Sequence, residues 1–591
     1  MWGAVVKVEF RELGHPAQVG SGLGSWNAGG MAERAANIRR LRDGFFDVLV
    51  IGGGINGAVS AASLAGRGAS VALIDRSDFG SFTSQESSNL VWGGFKYLEN
   101  YELPLVWGLC RSRNQLMKAY PDNVREIGFL ATLDKSAPYA PWFAGLGALA
   151  YWAIGQFGTR APRVFSPERL AATEPAIRTD TARGAIQYQD AYLIDNDSRF
   201  VFSFIRSAFE AGAAAANYVE LVDAQRRNDR WVARLRDNDT GEEFTTSARV
   251  IVNAAGPFVD GLNERWGVRT DHRIVYSKGI HLVVPRLTTE DHDRVLAFFD
   301  DTQRLFYVIP MGRRSVIGTT DTRVEDPHTR VGDDDREFLL DQINARMNLE
   351  RPLTAADVIA ERSGVRPLVV RRPRGRRRQQ DWTTVDWTSL SRKHEIERDR
   401  QRAVVTVFGG KLTDCLNVGA EVAHEVERLG VPLEKDLGNW FGEPAEATRE
   451  EFFRQARLMK LDAMRSKPDT EPLSIRLWRR YGRRAFDMLE AIRDDPSMAT
   501  DVLESADYLR VELHNAAEHE MIVRLEDFMR RRSKIDLVVP DDEVRHSPGL
   551  HEVARILFGD DAERRLAEYL DVAPGAQSSA TPSAVVDTAR A

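Results

Sequence analysis

The chain has 591 residues, of which 43% are hydrophobic and 28% are charged, and its formal net charge is −7 at pH 7. The length predicts two or three domains, the composition is typical of a soluble globular protein, and the modest net charge argues against nucleic-acid binding. The two cysteines, Cys110 and Cys415, lie far apart without metal-ligand spacing, which argues against a disulfide framework or a metal site and favours a reducing intracellular setting.

The two ends of the chain are predicted to contribute little to the fold. Residues 1–30 are glycine-rich and lack the apolar core of a signal peptide, so we expect disorder there. Met31 opens MAERAANIRRLRDG, which has the character of a helical lead-in and is an alternative translation start. We therefore interpret 1–44 as a disordered or helical lead-in and 574–591 as a disordered, low-complexity tail.

The first structured element predicted is a nucleotide-binding turn. Phe46–Ile51 (FDVLVI) indicates a buried parallel strand, and it runs into GGGING, a helix of small residues and a second strand, SVALID. Gly52 permits a tight turn, Gly54 lets backbone N–H groups approach a pyrophosphate, and Gly57 allows close packing of helix on strand. The helix N-terminus favours phosphate, and Asp75 ends the second strand where an acid binds a ribose hydroxyl. This pattern predicts a dinucleotide but does not separate NAD from FAD.

Two later segments favour FAD. Residues 249–262 (RVIVNAAGPFVDGL) combine a buried strand with small residues that admit a cofactor, and 403–413 (AVVTVFGGKLT) form a strand that ends in a second glycine turn. Two glycine turns some 350 residues apart indicate one sheet assembled from distant pieces of chain. Large two-domain flavoproteins are built in this way.

Taken in order, the motifs resemble those of the FAD-dependent glycerol-3-phosphate dehydrogenases, members of the glycine/D-amino-acid oxidase superfamily. The resemblance covers about residues 45–570 and rests on VIGGGINGA, TSQESSNLVWGGFKYLE, VNAAGPFVD, SKGIHLVVPR, FYVIPMGRRSVIGTTDT, SGVRPL, LSRKHEI and VFGGKLT. The late helical segment also resembles the cap domain of that family. Its matching residues are Glu512, His519, Glu520, Asp527 and Arg531.

The resemblance implies an α/β fold with three parts. These are a Rossmann-like FAD-binding domain (45–265 and 400–437), an antiparallel-sheet substrate domain (266–399) and a helical C-terminal cap domain (440–573). The alternating runs HLVVP, RLFYVIP and SVIGTTD indicate strands of the second domain.

The resemblance also implies which residues hold FAD: the two glycine turns, the acid after the second strand, and a loop rich in hydroxyl groups. The implied cofactor-binding residues are Gly52, Gly54, Ile55, Asn56, Gly57, Asp75, Thr83, Ser84, Ser87, Ser88, Gly93, Val219, Gly256, Gly409, Lys411 and Leu412.

The implied activity is oxidation of sn-glycerol 3-phosphate to dihydroxyacetone phosphate, with hydride transfer to FAD and electrons passed on to a quinone. The implied residues that bind this small phosphorylated substrate are Tyr97, Arg366, Arg392 and Lys411. Arginine suits a phosphate because its planar fork donates two parallel hydrogen bonds. The implied location is the cytoplasm, with peripheral contact at the inner face of the membrane where a quinone resides, and oligomerisation stays open.

The sequence departs from the family pattern at the site where a base is expected. The family has Lys-Leu-Ile-His-Gly-Gly-Leu-Arg-Tyr, and this chain has Asn89, Trp92 and Lys96 in place of the Lys, His and Arg. The family's Thr-Tyr-Arg after GGKLT is also changed, at residues 414–416. Because an indole N–H only donates, we interpret Trp92 as a wall of the pocket.

Three hypotheses account for the missing histidine. His281, in SKGIHLVV, could accept the substrate proton directly or through water. Alternatively, the substrate is a different hydroxylated or amine compound that needs no base at this position. In the third hypothesis the chain binds flavin but lacks the activity.

Two further segments bear on membrane contact. Residues 137–159 carry no charge but contain prolines and glycines, so we expect a buried or interfacial helix rather than a membrane span. Arg371–Arg378 (RRPRGRRR) is interpreted as a solvated loop, with contact to anionic lipid as the alternative.

Overall fold

The computed structural model describes residues 29–99, 101–135, 137–288, 293–299, 304–372, 393–434, 440–464 and 471–571. Within these ranges the chain forms two β-sheets followed by a helical cap domain. The predicted helical lead-in is present and covers Gly29–Leu41. Residues 1–28, most of the arginine-rich segment, Arg392 and the tail from 572 lie outside the described residues.

In chain order, the strands are β1 (Phe45–Ile51), β2 (Val71–Ile74), β3 (Leu90–Val91), β4 (Val124–Asp134), β5 (Arg163–Phe165), β6 (Ala182–Leu193), β7 (Ala214–Ala216), β8 (Val219–Arg227), β9 (Arg230–Asp237), β10 (Glu243–Asn253), β11 (His272–Pro285), β12 (Arg294–Phe299), β13 (Leu305–Met311), β14 (Arg314–Gly318), β15 (Thr322–Val324), β16 (Ala360–Arg371), β17 (Glu395–Asp399) and β18 (Val404–Phe408).

The helices are α1 (Gly29–Leu41), α2 (Ile55–Ala65), α3 (Leu103–Ala119), α4 (Pro141–Ile154), α5 (Pro167–Thr173), α6 (Asp197–Glu210), α7 (Val259–Arg265), α8 (Asp333–Arg346), α9 (Cys415–Glu427), α10 (Glu446–Leu458), α11 (Leu473–Tyr481), α12 (Ala485–Asp494), α13 (Arg510–His519), α14 (Ile535–Val538), α15 (Asp541–His546), α16 (Pro548–Phe558) and α17 (Ala562–Asp571).

The first sheet has the order β17-β18-β10-β1-β2-β7 and is extended by the antiparallel β8–β9 hairpin. β1 lies parallel to β2 and β10, and β10 lies parallel to β18. Helices α2, α6 and α9 cover one face, while α1 and the β8–β9 hairpin cover the other. Because both faces are buried, β1 is hydrophobic along nearly its whole length. The predicted assembly of one parallel sheet from distant segments is confirmed.

The second sheet is mainly antiparallel and has the order β15-β11-β14-β13-β12-β4-β6-β3, with β16 paired to β11 and β5 paired to β6. Its longest pairing joins β11 and β16 from His272 opposite Arg371 to Val283 opposite Ala360. Because side chains alternate between the two faces of a strand, His281 and Arg366 lie on the same face of this pair.

Sheet membership differs from the predicted domain boundaries. Strands β3 to β6, within residues 90–193, belong to the second sheet, although the prediction places this stretch in the FAD-binding domain. Conversely, β17 belongs to the first sheet. A hydrophobic run indicates a buried strand but does not indicate which of two sheets the strand joins, so the sequence could not place this boundary.

A network of buried charges attaches the cap domain to the first sheet. A π-helical turn, Asp527–Arg532, directs three arginines towards the loop after β2. Arg532 donates to both carboxylate oxygens of Asp78 at 2.8 Å, and Arg530 pairs with Glu86 at 3.0 Å. Burial would raise the pKa of Asp78, but the neighbouring arginines outweigh it and hold that pKa below its usual value. The cap is therefore an integral part of the fold.

Helix α4 packs one side against the core of the second sheet and exposes the other side. Of its residues, Gly145, Ala148 and Tyr151 are buried, whereas Trp142 is 67% exposed and Phe143 51%. No helix in the described ranges is long and apolar enough to cross a membrane. The helix is therefore half-buried, which agrees with the predicted buried or interfacial helix.

Candidate functional site

The first glycine turn has a geometry that other residues cannot adopt. A Cβ atom added to Gly57 would lie 1.7 Å from the carbonyl oxygen of Gly52, and Gly52 has a positive φ of 100°. An added Cβ at Gly54 would meet one atom closely, the hydroxyl of Ser84 at 3.2 Å. The turn therefore packs helix on strand at Gly57 and leaves the approach to the α2 N-terminus clear at Gly54. These features fit the pyrophosphate of a dinucleotide.

A cavity next to this turn fits the nucleoside end of the cofactor. Asp75 forms part of its wall, and its carboxylate accepts hydrogen bonds from the N–H groups of Gly53 at 2.6 Å and Ser77 at 2.8 Å. Burial raises the pKa of Asp75 to about 6. Val219 and Gly256 line the same cavity, and space around Gly256 is open.

The predicted hydroxyl groups have different roles in the structure. Ser84 Oγ accepts a hydrogen bond from the N–H of Ile55, the first residue of α2, at 3.0 Å. The Thr83 hydroxyl donates a hydrogen bond to the Val365 carbonyl at 2.8 Å. Ser87 donates to Asp197 at 2.8 Å, which ties the loop to α6. Ser88 lies half-buried in this loop. Thr83 and Ser84 thus connect the first turn to the second sheet.

The two glycine turns are in direct contact. The side-chain amide of Asn56 donates to the carbonyl of Gly409 at 2.7 Å. An added Cβ at Gly409 would lie 2.5 Å from Val369 and 3.3 Å from the Pro367 carbonyl of β16. The late turn therefore lies between the first turn and the strand that carries Arg366. Leu412, which follows, packs against the core of the first sheet.

Three predicted residues meet beyond the late turn. Lys411 Nζ donates to the Tyr97 hydroxyl at 2.9 Å and lies 4.3 Å from the centre of the Tyr97 ring. The rings of Trp92 and Tyr97 are 5.5 Å apart. Thr413 donates to the Trp92 carbonyl at 3.3 Å, which connects the two segments a second time. The structure thus joins the segment around Trp92 to the late glycine turn.

The turn after Trp92 rests on a buried polar network that the sequence did not reveal. The carboxylate of Asp190 accepts hydrogen bonds from the Gly93 N–H at 2.9 Å, from Arg113 at 2.7 Å and from the Tyr151 hydroxyl at 3.0 Å. A Cβ at Gly93 would lie 2.2 Å from that hydroxyl. Gly93 is therefore fixed by packing, and we see no motif that could have identified its partners.

His281 and Arg366 share the face of the β11–β16 pair that looks toward the hydroxyl-rich loop. His281 is 4% exposed, and burial, reinforced by Arg362 and Arg366, lowers its pKa well below the usual value. The imidazole is therefore neutral at physiological pH. Gly279 leaves room for the guanidinium of Arg366, because a Cβ there would lie 2.2 Å from Nη2.

Arg366 is held by the segment after β14. It donates to Thr319 Oγ1 at 2.6 Å and to the Thr320 carbonyl at 3.2 Å, and it lies 3.3 Å from Asp321. Lys96 is half-buried, and Glu99 is its charged neighbour. Arg392 lies outside the described residues, so its predicted role remains a prediction.

A buried ion-pair cluster stands where the chain departs from the family after GGKLT. His394 contacts Asp414 at 2.7 Å and Glu421 at 3.1 Å, and Asp414 also accepts from Ser112 at 2.8 Å. Burial would lower the pKa of His394, but the two carboxylates in contact with it outweigh burial and raise the pKa to about 9. The pair connects β17 to the N-terminus of α9.

Comparison with family models gives two matches in chain order. A model described as FAD dependent oxidoreductase matches residues 47–392, more than half of the chain. A model described as the C-terminal domain of alpha-glycerophosphate oxidase matches residues 459–565.

Individual relatives align over most of the chain. Glycerol-3-phosphate dehydrogenase 2 of Mycobacterium tuberculosis is 29% identical over 574 residues, which cover 94% of this chain and 93% of that protein. The aerobic glycerol-3-phosphate dehydrogenase of Escherichia coli is 29% identical over 513 residues, covering 83% and 93%. A solved structure, the glycerol-3-phosphate dehydrogenase of Bacillus halodurans complexed with FAD, has a TM-score of 0.68 at 21% identity and covers 92% of this chain and 97% of that chain. The last likeness confirms the predicted fold class.

Proposed function

The chain belongs to the FAD-dependent oxidoreductase family, and on that premise we propose that it oxidises sn-glycerol 3-phosphate to dihydroxyacetone phosphate. The family match agrees with the predicted resemblance and cofactor. Bound FAD supplies the two-electron oxidising chemistry of the reaction. The observation that carries the proposal is that the Gly409 turn packs against β16 beside Arg366 and leads two residues later into Lys411, so both cations adjoin the same turn.

Phosphate recognition is assigned to these two cations. The guanidinium of Arg366 is held in place by Thr319 and the Thr320 carbonyl, so little side-chain entropy is lost when it binds an anion. Lys411 adds a point charge, positioned by Tyr97. Relatives named glycerol-3-phosphate dehydrogenase, aligned over more than four-fifths of the chain, support a small phosphorylated substrate.

The proton acceptor is assigned to His281. Oxidation of a secondary alcohol to a ketone requires that the hydroxyl proton be taken up. His281 is neutral because of its lowered pKa, so it is in the form that accepts a proton, and it shares a strand face with Arg366. Trp92 cannot take this role because its indole only donates. It forms a wall of the pocket beside Tyr97.

Anaerobic stopped-flow mixing tests this function. Glycerol 3-phosphate should bleach the flavin absorbance of the loaded chain at least about tenfold faster than glycerol, because a charge-assisted bond to phosphate is worth about 1.5–3 kcal/mol. Glycine represents the amine substrates of the alternative hypothesis. Faster bleaching by glycine would replace the proposed substrate with an amine. A loaded chain that no compound bleaches would be a flavin-binding protein without this activity.

The proposal extends to a quinone acceptor reached by peripheral docking on the inner face of the membrane. An exposed apolar face, formed by α3, α4 and adjoining turns, supports it. This face consists of Tyr101, Leu103, Trp107, Trp142, Phe143, Leu146, Leu149 and Phe157. Exposed cations (Lys135, Arg111 and Arg163) lie on the same elements or next to them. Aromatic and apolar side chains with adjacent cations suit the lipid headgroup region.

Vesicle flotation tests the docking proposal. The wild-type chain should float with vesicles that contain anionic lipid, and Trp142→Ser combined with Leu146→Ser should reduce the bound fraction several-fold. Leu458→Ser is the matched control, because Leu458 is 71% exposed on α10 of the cap domain. Equal flotation of the double variant and the wild type would remove this face from the proposal.

A further inference from the structure

A cleft of about 870 Å³ lies between the helices of the first sheet and the cap domain. Its walls come from α6, from residues 440–445 and from the turn Gly482–Arg484 before α12. The cleft reaches the C-terminal end of α2 at Ala65, whereas the glycine turn lies at the N-terminal end of that helix. At 1.5 Å per residue, the 11 residues of α2 separate the two places by about 16 Å. The cleft is therefore distinct from the flavin site.

Some of the cationic side chains that line this cleft form no ion pair with a carboxylate in the described part of the chain. Arg206 of α6 and Arg484 both contribute to the wall, and neither forms an ion pair with a residue in the described part of the chain. Nε of Arg484 is buried and finds no hydrogen-bond acceptor there. Lys118 and Arg483 also line the cleft. In addition to the paired arginines of the wall, these four positive charges line one cavity.

The acidic residues of the cleft do not balance this charge. Asp195 accepts hydrogen bonds from two arginines of α11, both at 2.7 Å, and is already neutralised by them. Glu443 accepts two hydrogen bonds at 3.0 Å from neighbouring residues, and burial raises its pKa to about 7. Glu210, which is exposed at the end of α6, is near enough to Arg206 to offset part of its charge but forms no ion pair with it in the described part of the chain. An excess of positive charge remains for a ligand.

The surroundings of Arg206 also lack a sufficient negative charge. Burial, together with Arg199 and Arg484, lowers the pKa of Arg206, and the nearby carboxylates Glu520 and Glu210 offset this only in part. Arg199 is itself paired with Glu520 at 2.9 Å. Arg484 acts electrostatically on three carboxyl groups, Glu33, Asp487 and Glu518, but forms no ion pair with any of them. A bound anion would supply the missing charge.

Aromatic side chains form the remaining wall. The rings of Tyr120 and Phe200 are 5.1 Å apart, and those of Trp440 and Phe441 are 4.9 Å apart, with all four lining the cleft. Such a wall suits the flat or apolar part of a ligand. The volume falls in the range of small-molecule sites, about 300–1,000 Å³.

We propose that this cleft binds a nucleotide-like organic phosphate, with its phosphate between Arg206 and Arg484 and its apolar part against the aromatic wall. Arginine forks bind phosphate oxygens in pairs, which gives the site its preference for phosphate. The ligand would join α6 to the cap domain. Since the N-terminus of α6 contacts the hydroxyl-rich loop through Asp197 and Ser87, the site is well placed to stabilise that loop.

Titration calorimetry on the FAD-loaded full chain, with ADP and inorganic phosphate as probes, tests the proposal. ADP should bind the wild type, and inorganic phosphate should bind more weakly. Arg206→Gln and Arg484→Gln should each weaken ADP binding at least about tenfold, whereas Arg206→Lys should recover part of the loss. Arg555→Gln, an exposed arginine of α16, is the control for loss of one charge. Flavin absorbance verifies that each variant is folded.

The outcomes separate clearly. Wild-type affinity for ADP in both glutamine variants would place ADP elsewhere and overturn the proposal. Binding of inorganic phosphate with no gain for ADP would reduce the cleft to an ion site, and absence of binding by either probe would also overturn it. Flavin reduction by glycerol 3-phosphate should be unchanged in Arg206→Gln, which separates this site from the proposed catalytic one.

Discussion

The first glycine turn (Gly52–Gly57, here called the cradle) and the proposed substrate side of the flavin site differ in what fixes their residues. In the cradle, the backbone itself excludes side chains, because an added Cβ at Gly57 would overlap the Gly52 carbonyl oxygen at 1.7 Å. On the proposed substrate side, the turn at Gly93 is fixed by Asp190 and Tyr151, but Trp92 beside it does not have a positive φ that would restrict the residue type. We therefore expect the substrate side of the flavin site to accept substitutions that the first glycine turn cannot.

The largest effect is expected at the cradle. Gly57→Ala should abolish flavin binding, because the new methyl group would force α2 away from the first strand. Flavin absorbance per chain after purification measures this. Gly108→Ala, in α3 with open space around it, should retain full flavin content. Full occupancy in Gly57→Ala would show that the cradle is as tolerant as the substrate side.

The second-largest effect, on the rate of flavin reduction, is expected at His281, the proposed proton acceptor. His281→Gln should slow flavin reduction by glycerol 3-phosphate about 10²–10⁴-fold with flavin content intact, and Trp92→His should be nearly neutral. His272→Gln, on the same strand and paired with Glu397, is the control. Stopped-flow reduction rates separate the hypotheses. A large acceleration in Trp92→His would show that the wild type lacks a base, and rapid reduction in His281→Gln would remove His281 from that role.

A smaller effect is expected for phosphate recognition. Arg366→Gln should lower kcat/KM for glycerol 3-phosphate about tenfold to a hundredfold, because a charge-assisted bond to an anion contributes about 1.5–3 kcal/mol. Turnover of unphosphorylated glycerol should not change. Arg371→Gln, exposed at the end of the same strand, provides the matched control. Equal losses with both substrates would assign Arg366 a structural role.

The smallest effect concerns the stability of the late turn. The folded pKa of His394, about 9, lies above its unfolded value of about 6.5, so its ion pairs stabilise the fold fully below pH 6.5 and progressively less as pH rises through 9. His394→Gln should lower the free energy of unfolding by on the order of 2 kcal/mol at pH 6 and much less at pH 9.5. Chemical denaturation at the two pH values measures this, with the exposed His551→Gln as control. A difference independent of pH would contradict the ion-pair account.

The sequence predicted the first sheet well, because glycine turns after β-branched runs have few structural solutions. It also predicted that distant segments share that sheet, which the parallel pairing of β10 with β18 confirms. It misplaced residues 90–193, because hydrophobic runs such as β4 and β6 do not indicate which sheet they join. Local pattern therefore identifies elements more reliably than their partners.

At the candidate site, the sequence predicted which residues take part but not which residues they contact. Lys411 and Tyr97 are 314 residues apart and still share a hydrogen bond. The motifs included both, whereas the supporting Asp190 and the Asp414–His394 pair became visible through three-dimensional proximity. Such partners are set by packing between distant segments, on which a local motif carries no information.

The hydrogen bond between Asn56 and Gly409 has a consequence for biosynthesis. The two residues are 353 positions apart, and a ribosome adds about 5–20 residues per second, so the first glycine turn waits roughly 20–70 s for its partner. During that interval α2 has no α9 to pack against, and its small, apolar side chains remain available to chaperones. We therefore expect flavin to load after the late strand has emerged, and a nascent chain arrested before residue 404 to lack the cofactor.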